Sequence, residues 1–526
     1  MSVTPDPDSG HRVARAAVLI GLGNVASRIL GLVREQVIAA LFGATAATSA
    51  FRTATRVSTA AYDLLLAGAI TSAFVPVFSD YAAAGRTNEL SRILSTLLNL
   101  TLLGVGAAVA LLTVAAPLLV TALGADPAHF DLAVGLTRVA LPSIVLLGVA
   151  GIHTALLQAT RRFALTAFAA SVYNVGIILA AVLLSGTIQI YALTVGLILG
   201  SALQIVLQLP AWRGLRYQPV IDLGHPGVRL MLRLYLPVFL GMLASYAIVV
   251  IDTNLAWRTG EGSVAAMGFA TTIIQFPIGL VGAAASLAIL PSLSRMAASD
   301  PGSEDSPFIT LLIGGMKHVL LLVVPIAAML MVLRHELIGL LFQRAAFDAL
   351  ATQSTAQAFL AYSPQLPFVV IDQLLIAAFY ARKDTLTPVL VGVGGAAIYL
   401  VVALATVGPL GMPGLALANA VQNSSHAVIL YILLARREAA IVSPALGGFL
   451  IKVGLGGVLG AVICAFVASW ASAALNDSDG AVGRLVTLAA GSAAGLAAYV
   501  GLLAALRVRE LSLLTSLWAR ASRRSF

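Results

Sequence analysis

Long apolar runs recur from one end of this chain to the other, and they leave few folds open. A bilayer-crossing helix needs about 20 mostly apolar residues, and about fourteen runs of that kind can be marked. They lie near 16–42, 54–79, 93–122, 132–158, 164–185, 189–211, 231–257, 263–293, 308–333, 352–379, 386–408, 412–435, 446–473 and 483–506. Lipid offers the backbone no hydrogen bonds, so such runs must form helices that satisfy their own. The expected fold class is therefore all-α, a polytopic membrane protein of about 14 transmembrane helices. Only 10% of the residues are charged, against about 25% in soluble chains. So few charges cannot cover a surface that faces water on all sides. This excludes a soluble enzyme, a disordered chain and a nucleic-acid-binding domain. The single cysteine, Cys464, lies in an apolar run and excludes an intrachain disulfide or a cysteine-rich metal site.

Several runs are longer than a straight span needs, which implies tilt or kinks. Pro142, Pro237, Pro277, Pro325 and Pro367 are the expected kink points. Residues 1–15 are polar and rich in Pro and Asp, and are expected to form a disordered cytoplasmic tail. Lys and Arg alternate with the spans. Arg12, Arg15, Arg86, Arg92, Arg161, Arg162, Arg213, Arg216, Arg229, Arg233, Arg295, Arg382, Lys383, Arg436 and Arg437 share one set of loops, and Arg507, Arg509, Arg520, Arg523 and Arg524 add a basic tail. The alternate loops near 123–130, 185–189 and 408–412 hold no Lys or Arg. The positive-inside rule then places both termini in the cytoplasm. Basic loops beside anionic lipid account for the net charge of +9 without nucleic acid.

The two halves of the chain resemble each other. Gly196–Gln204 matches Gly414–Gln422, Ala73–Ser79 matches Ala288–Ser294, and Arg161–Thr166 matches Arg382–Thr387, at offsets of 218, 215 and 221 residues. An even number of expected spans separates equivalent points, so the repeat is parallel. The expected organisation is an N-terminal lobe at 16–222, a C-terminal lobe at 223–440, each of about six helices, and two further spans with a basic tail at 441–526. Two such lobes around a central cavity are a transporter architecture.

A charge in the middle of a span costs roughly 2.5–3.5 kcal/mol on insertion scales, so each one asks for a role. Arg28, Arg34 and Glu35 fall in the first run, Arg52 and Arg56 at the entry to the second, and Asp63 within it. Arg28 and Arg34 would point about 120° apart on an ideal helix. They line one cavity only if the helix bends, which Gly31 permits. Arg34 has a second reading, paired with Glu35 and reaching toward an interface. Asp252 and Asp372 close the set of intramembrane carboxylates, read either as caps and pairs or as ion-coupling groups. His153 has no His or carboxylate one helical turn away and is expected to pack. Gly392-Val-Gly394-Gly395 lies inside a span and reads as packing. No Walker loop, paired catalytic carboxylates or metal cluster is present in the sequence.

Several stretches resemble one known family. Ser27-Arg28-Ile-Leu-Gly31-Leu-Val-Arg34-Glu35, Phe42-Gly43-Ala44 and Ala73-Phe-Val-Pro76 resemble the opening of the MurJ (MviN) lipid II flippases of the multidrug/oligosaccharidyl-lipid/polysaccharide exporter superfamily. Pro277-Ile-Gly279, Leu290-Pro291-Ser-Leu-Ser294, Leu341-Phe-Gln-Arg344-Ala-Ala-Phe347 and Phe379-Tyr380-Ala-Arg382-Lys383-Asp384-Thr385-Leu-Thr387-Pro388 agree with it. The resemblance implies a two-lobe fold, a cationic cavity for a pyrophosphate headgroup and a groove formed by the last two spans for a polyprenyl tail. The chain departs from the family pattern at Ser49, at Ser58–Asp63, at Ala67 and at Ala270-Thr271-Thr272, where a cavity arginine is lost. Arg52 is a local addition that would restore cavity charge.

The expected function is a lipid II flippase that moves a polyprenyl-pyrophosphate saccharide from the inner to the outer leaflet by alternating access. Arg28, Arg34, Arg52 and Arg56 would hold the pyrophosphate. Glu35, Asp63, Asp252 and Asp372 are the cavity or ion-coupling candidates. No catalytic residue, cofactor or metal is expected, because no bond is made or broken. The expected partners are the lipid substrate, membrane lipids and a possible coupling cation, with the chain a monomer. Alternatives are an exporter of another polyprenyl-linked unit or of an amphipathic cation, a membrane-embedded glycosyltransferase, and a transport-inactive cell-wall scaffold.

Overall fold

The computed structural model describes residues 7–67, 70–296, 307–475 and 480–511. Residues 1–6 and the tail arginines Arg520, Arg523 and Arg524 lie outside them. The protein is an all-α, polytopic membrane protein. Among the described residues nine helices are long and apolar enough to cross a membrane, and each apolar run marked in the sequence falls on helix.

The chain groups into two compact units, Met1–Ala265 with Arg344–Phe347, and Ala266–Gln343 with Asp348–Phe526. The first holds α1 (Pro7–Phe42), α2 (Ala46–Tyr62), α3 (Val75–Ala83), α4 (Thr87–Leu100), α5 (Gly106–Val114), α6 (Ala116–Ala122), α7 (Phe130–Ala140), α8 (Ser143–Ala159), α9 (Phe163–Ala167), α10 (Ala169–Ile188), α11 (Tyr191–Gln208) and α12 (Pro226–Arg258). From α13 (Ser263–Pro277) onward the second unit holds α14 (Ala283–Met296), α15 (Pro307–Val332), α16 (Arg334–Phe342), α17 (Ala349–Tyr362), α18 (Leu366–Ala381), α19 (Leu386–Leu410), α20 (Met412–Arg437), α21 (Pro444–Ala474) and α22 (Ala481–Ala505).

Two boundaries differ from the sequence reading. Helix α1 begins at Pro7, so residues 7–15 are helical where a polar tail was expected. Helix α12, expected to open the second lobe, groups with the first unit. Polar contacts with α2 explain this. Arg56 pairs with Asp252 at 3.2 Å, the Trp257 indole donates to Thr53 Oγ1 at 2.9 Å, and Tyr246 donates to Asp63.

The prolines act in different ways. Pro142 separates α7 from α8 outright, and Pro367 sits in the first turn of α18, where its missing N–H costs nothing. Pro277 ends α13, and a π-helical turn follows at once over Ile278–Gly282. Pro325 lies inside α15. Helix α12 runs through position 237, whose side chain lies outside the described residues. Further π turns, Asp63–Ala67 and Ile70–Phe74, join α2 to α3. Wide turns of this kind recur at functional sites.

The internal repeat is written in the backbone. Arg161 and Lys383 both have positive φ (58° and 61°), 222 positions apart, each just past the end of a helix. In each turn the next amide reaches back to close a Schellman motif, Arg162 N–H to Leu157 O at 2.8 Å and Asp384 N–H to Phe379 O at 3.0 Å. Gln189 (φ 50°) and Gly411 (φ 62°) repeat the same spacing at the other ends of α10 and α19. This register moves the match of Gly196 with Gly414 by one helical turn, to Ala192, whose amide bonds Gln189 O as that of Gly414 bonds Gly411 O.

Small residues let paired helices touch. A Cβ on Gly176 of α10 would lie 2.4 Å from Gly200 Cα of α11. Gly460 of α21 and Gly495 of α22 each face the other's carbonyl in the same way, at 2.9 and 2.7 Å. Tyr499 of α22 fixes that pair to α15 by donating to Leu321 O at 2.9 Å. Cys464, buried on α21, is part of this packing.

Candidate functional site

The first unit contains a polar cavity of about 290 Å³ between α1, α2, α8, α10 and α11. Arg34 and Glu35 reach it from α1, Arg52, Thr55, Ser58 and Thr59 from α2, and Tyr173 from α10. Positions 52, 55, 58, 59 and 62 share one face of α2 because the helix returns every three to four residues. That arrangement turns a short polar stretch of sequence into one wall of a cavity.

Glu35 is the centre of the charge arrangement. Its side chain is 3% exposed and accepts from Arg34 at 2.7 Å and from Arg52 at 2.6 Å, one guanidinium on each carboxylate oxygen. Arg34 also donates to Asn174 Oδ1 of α10 at 3.0 Å, while the Asn174 amide donates back to Ser27 O of α1 at 3.3 Å. A buried carboxylate needs such partners, since an unpaired charge in lipid is costly. Among the described residues, two guanidiniums meet on this one carboxylate. Among the described residues, Arg34 uses two of its five N–H groups on Glu35 and Asn174. The remaining donors suit a phosphate, whose oxygens match the guanidinium fork.

The other arginines are placed differently. Arg56, one turn beyond Arg52, pairs with Asp252 at 3.2 Å and donates to Thr253 Oγ1, so both charges are engaged within α2 and α12. Arg28 is half-buried on α1, and the residues lining this cavity do not include it. Helix α1 is continuous through Gly31, where an added Cβ would lie 3.8 Å from Asn174 Nδ2. Asp63 opens the first π turn and accepts from Tyr246. Thr271 and Thr272, in the stretch where the chain departs from the family pattern it resembles, both donate to Gly268 O at 3.0 Å.

Asp372 belongs to the second unit. It lies on α18 and meets His426 of α20 at 2.7 Å. The sequence reading passed over His426, because its partner is 54 positions away on another helix. Its signal was the run Asn419 to His426, unusually polar for the middle of a span. His153 packs as expected and accepts the Trp212 indole N–H at 3.0 Å, the tautomer following from that donor. Among the described residues no group of three or more His, Cys, Asp or Glu side chains is placed to hold a metal.

The family model described as Lipid II flippase MurJ matches residues 38–490. The lipid II flippase MurJ of Burkholderia cenocepacia is 30% identical over 509 residues, covering 93% of this chain and 96% of that protein. The probable lipid II flippase MurJ of Vibrio cholerae is 28% identical, covering 95% and 97%. Among solved structures, a lipid II flippase MurJ in an inward closed conformation superposes with a TM-score of 0.77 at 23% identity, covering 93% of this chain and all of that one. An inward-facing multidrug resistance transporter of the MATE family and MOP superfamily superposes with a TM-score of 0.66 at 15% identity, over 79% of this chain and 95% of its own. These last two likenesses concern the fold.

Proposed function

The chain belongs to the lipid II flippase MurJ family, and we propose from that premise that its first-unit cavity receives the pyrophosphate of the lipid-linked precursor. Its function is to flip lipid II for peptidoglycan assembly. The family is one of transporters. A headgroup with two phosphates and sugars cannot cross hydrocarbon unaided, so the protein must replace its water. The observation that carries the reading is the pair of guanidiniums, Arg34 and Arg52, converging on one cavity with a buried counter-charge, Glu35.

The proposal assigns each residue a task. Arg34 and Arg52 offer charge-assisted hydrogen bonds to phosphate oxygens, Thr55, Ser58 and Thr59 offer hydroxyls, and Tyr173 closes the opposite wall. Glu35 holds both guanidiniums in place when no substrate is present. Arg56 acts with Asp252 in fixing α12 to α2, and Arg28 is a further contact along α1. The headgroup moves from the inner to the outer leaflet of a bacterial inner membrane by alternating access. The chain works as a monomer with both termini cytoplasmic, and the polyprenyl tail stays in lipid.

Complementation tests this reading. In a strain depleted of its own lipid II flippase, the native chain should restore growth. Arg34→Ala and Arg52→Ala should not, although both proteins accumulate in the membrane. Arg34→Lys should restore it in part, because an ammonium keeps the charge and loses the bidentate geometry. Full growth with either alanine variant would remove the cavity from the substrate path.

A further inference from the structure

We propose that Asp372 and His426 together bind one proton inside the second unit, and that this proton is the cation coupled to transport. The coupling clause rests on the flippase reading above; the binding clause does not.

The contacts of the ring's two nitrogens argue for the number of protons the pair holds. His426 Nδ1 lies 2.7 Å from Asp372 Oδ1, and Nε2 lies 3.2 Å from the Pro388 carbonyl oxygen of α19. A carbonyl only accepts, so Nε2 must carry a hydrogen. The other nitrogen faces a carboxyl group. Either it donates to a carboxylate, as an imidazolium, or it accepts from a carboxylic acid. Both arrangements contain one proton more than a carboxylate beside a neutral ring. With the proton the pair is neutral overall; without it a full negative charge is left in a span, each partner side chain being 16% exposed.

The surroundings suit a proton better than a metal ion. One carboxylate and one imidazole make a poor cage for sodium or a divalent cation, which take several oxygen ligands. Among the described residues, the charged groups of the packed elements are engaged elsewhere. Helices α17 and α19 contain no Asp, Glu, Lys, Arg or His. On α15, Lys317 is held by Glu510 at 2.8 Å, and His318 Nδ1 lies 2.6 Å from Gly314 O on its own helix. On α14, Arg295 donates to Ser292 Oγ at 3.0 Å, and at the end of α20 Arg437 pairs with Asp384 at 2.6 Å.

A polar line leads to the site. Asn419, Asn423 and His426 recur at helical spacing on one face of α20. Asn423 donates to Asn419 Oδ1 at 3.1 Å and to Gln365 Oε1 at 2.5 Å, just before α18 begins. Amide side chains and their waters can relay or at least solvate a moving proton. This accounts for so many polar residues in the middle of an otherwise apolar helix.

The test uses the full-length protein in lipid nanodiscs with 15N-labelled histidine, whose ring nitrogen shifts report protonation directly. The spectrum of His426→Gln assigns the signal. At neutral pH native His426 should show either two protonated nitrogens or, in the carboxylic-acid form, a carbonyl stretch in the infrared that Asp372→Asn removes. The loaded pair should be depleted at least about tenfold in Asp372→Asn, equivalent to one pH unit of proton affinity. In proteoliposomes carrying the lipid-linked substrate, a pH-sensitive dye should record proton movement in step with flipping by the native protein. A singly protonated His426 beside an ionised Asp372 from about pH 5 to pH 8 would overturn the site. A loaded pair with flipping that moves no protons would overturn the coupling and leave the flippase reading standing. Absence of any flipping by the native protein, with the pair still loaded, would count against the flippase reading alone.

Discussion

Glu35 shows how far a single residue can be read. From sequence it is one acidic neighbour of Arg34; in the structure it is the shared partner of two arginines on two helices. Breaking a buried ion pair by removing one member costs about 3–5 kcal/mol, because the other charge is left unpaired. Glu35→Ala should therefore lower the thermal stability of the purified protein as well as transport. Glu35→Ala combined with Arg52→Ala should recover part of the stability and none of the transport. Thermal unfolding in detergent checks the first, complementation the second. A double variant no more stable than Glu35→Ala would show that the two charges do not interact. In the sequence Arg28 lies deep in the first apolar run. Depth along one helix is legible, but which face meets a cavity depends on α2 and α10, and no pattern within α1 reveals them. Arg28→Ala should accordingly cost less activity than Arg34→Ala in the same complementation series.

At the scale of elements, the match of Arg161–Thr166 with Arg382–Thr387 lies within one residue of the backbone register, and the match of Gly196 with Gly414 within a turn. Matching letters placed Gly196 against Gly414; the backbone places the hairpins 222 positions apart at both ends. Apolar helices resemble each other in any register, whereas a left-handed residue ends a helix at one position only. Gly411 takes its positive φ (62°) without a Cβ, and Gln189 takes nearly the same conformation (φ 50°, ψ −133°) with one. Gln189→Gly should raise the unfolding temperature, by about 1 kcal/mol of stability, and Gly411→Ala should lower it by about 1–3 kcal/mol. No gain from Gln189→Gly would mean that the glutamine side chain offsets the strain. The second turn carries a charge lock. Asp384 accepts from the Thr387 hydroxyl (2.6 Å) and amide (2.9 Å) and from Arg437 (2.6 Å), while Arg382 pairs with Glu438 at 2.5 Å. The Thr387 bonds first, and then the guanidinium against burial, hold the Asp384 carboxyl down at about 2. A depressed carboxyl stabilises the fold above its ordinary value near 3.8, and that contribution is lost as the pH falls toward 2. Asp384→Asn should thus unfold at a lower temperature than the native protein at neutral pH. The gap should close as the pH is lowered from about 4 to about 2. A gap that stays constant through that window would place the effect elsewhere than in the ionised carboxyl.

For the molecule as a whole, the all-α polytopic class follows from the length of the apolar runs, since lipid allows nothing else of that length. Helix α20 is hard to recognise as a span because it carries Asn419, Gln422, Asn423, Ser424, Ser425 and His426 between its apolar ends. The grouping of α12 with the first unit was not legible, because it rests on side-chain contacts from Arg56, Thr53 and Asp63 across nearly 200 positions, 196 for the Arg56–Asp252 pair. Orientation is a property of the whole chain and follows from charge. Loops rich in arginine resist passage across the membrane, and the potential holds them on the cytoplasmic side. A chain in which Cys464 is replaced by Ser offers a background free of native thiols, since it is the single cysteine. Cysteines introduced beside Arg162, Arg213 and Arg436 should then be labelled by a membrane-impermeant maleimide only in inverted vesicles. Those beside Asp126 and Gly411 should be labelled only in intact spheroplasts. The two groups lie at opposite ends of the same helices: Asp126 and Arg162 bracket α7 and α8, as Gly411 and Arg436 stand at the two ends of α20. A repeat with equal turns at equal spacing must therefore give the same answer in both halves. Labelling of Arg162 and Arg436 positions from opposite faces would rule out the parallel repeat, and labelling of both from outside would invert the orientation while leaving the repeat intact.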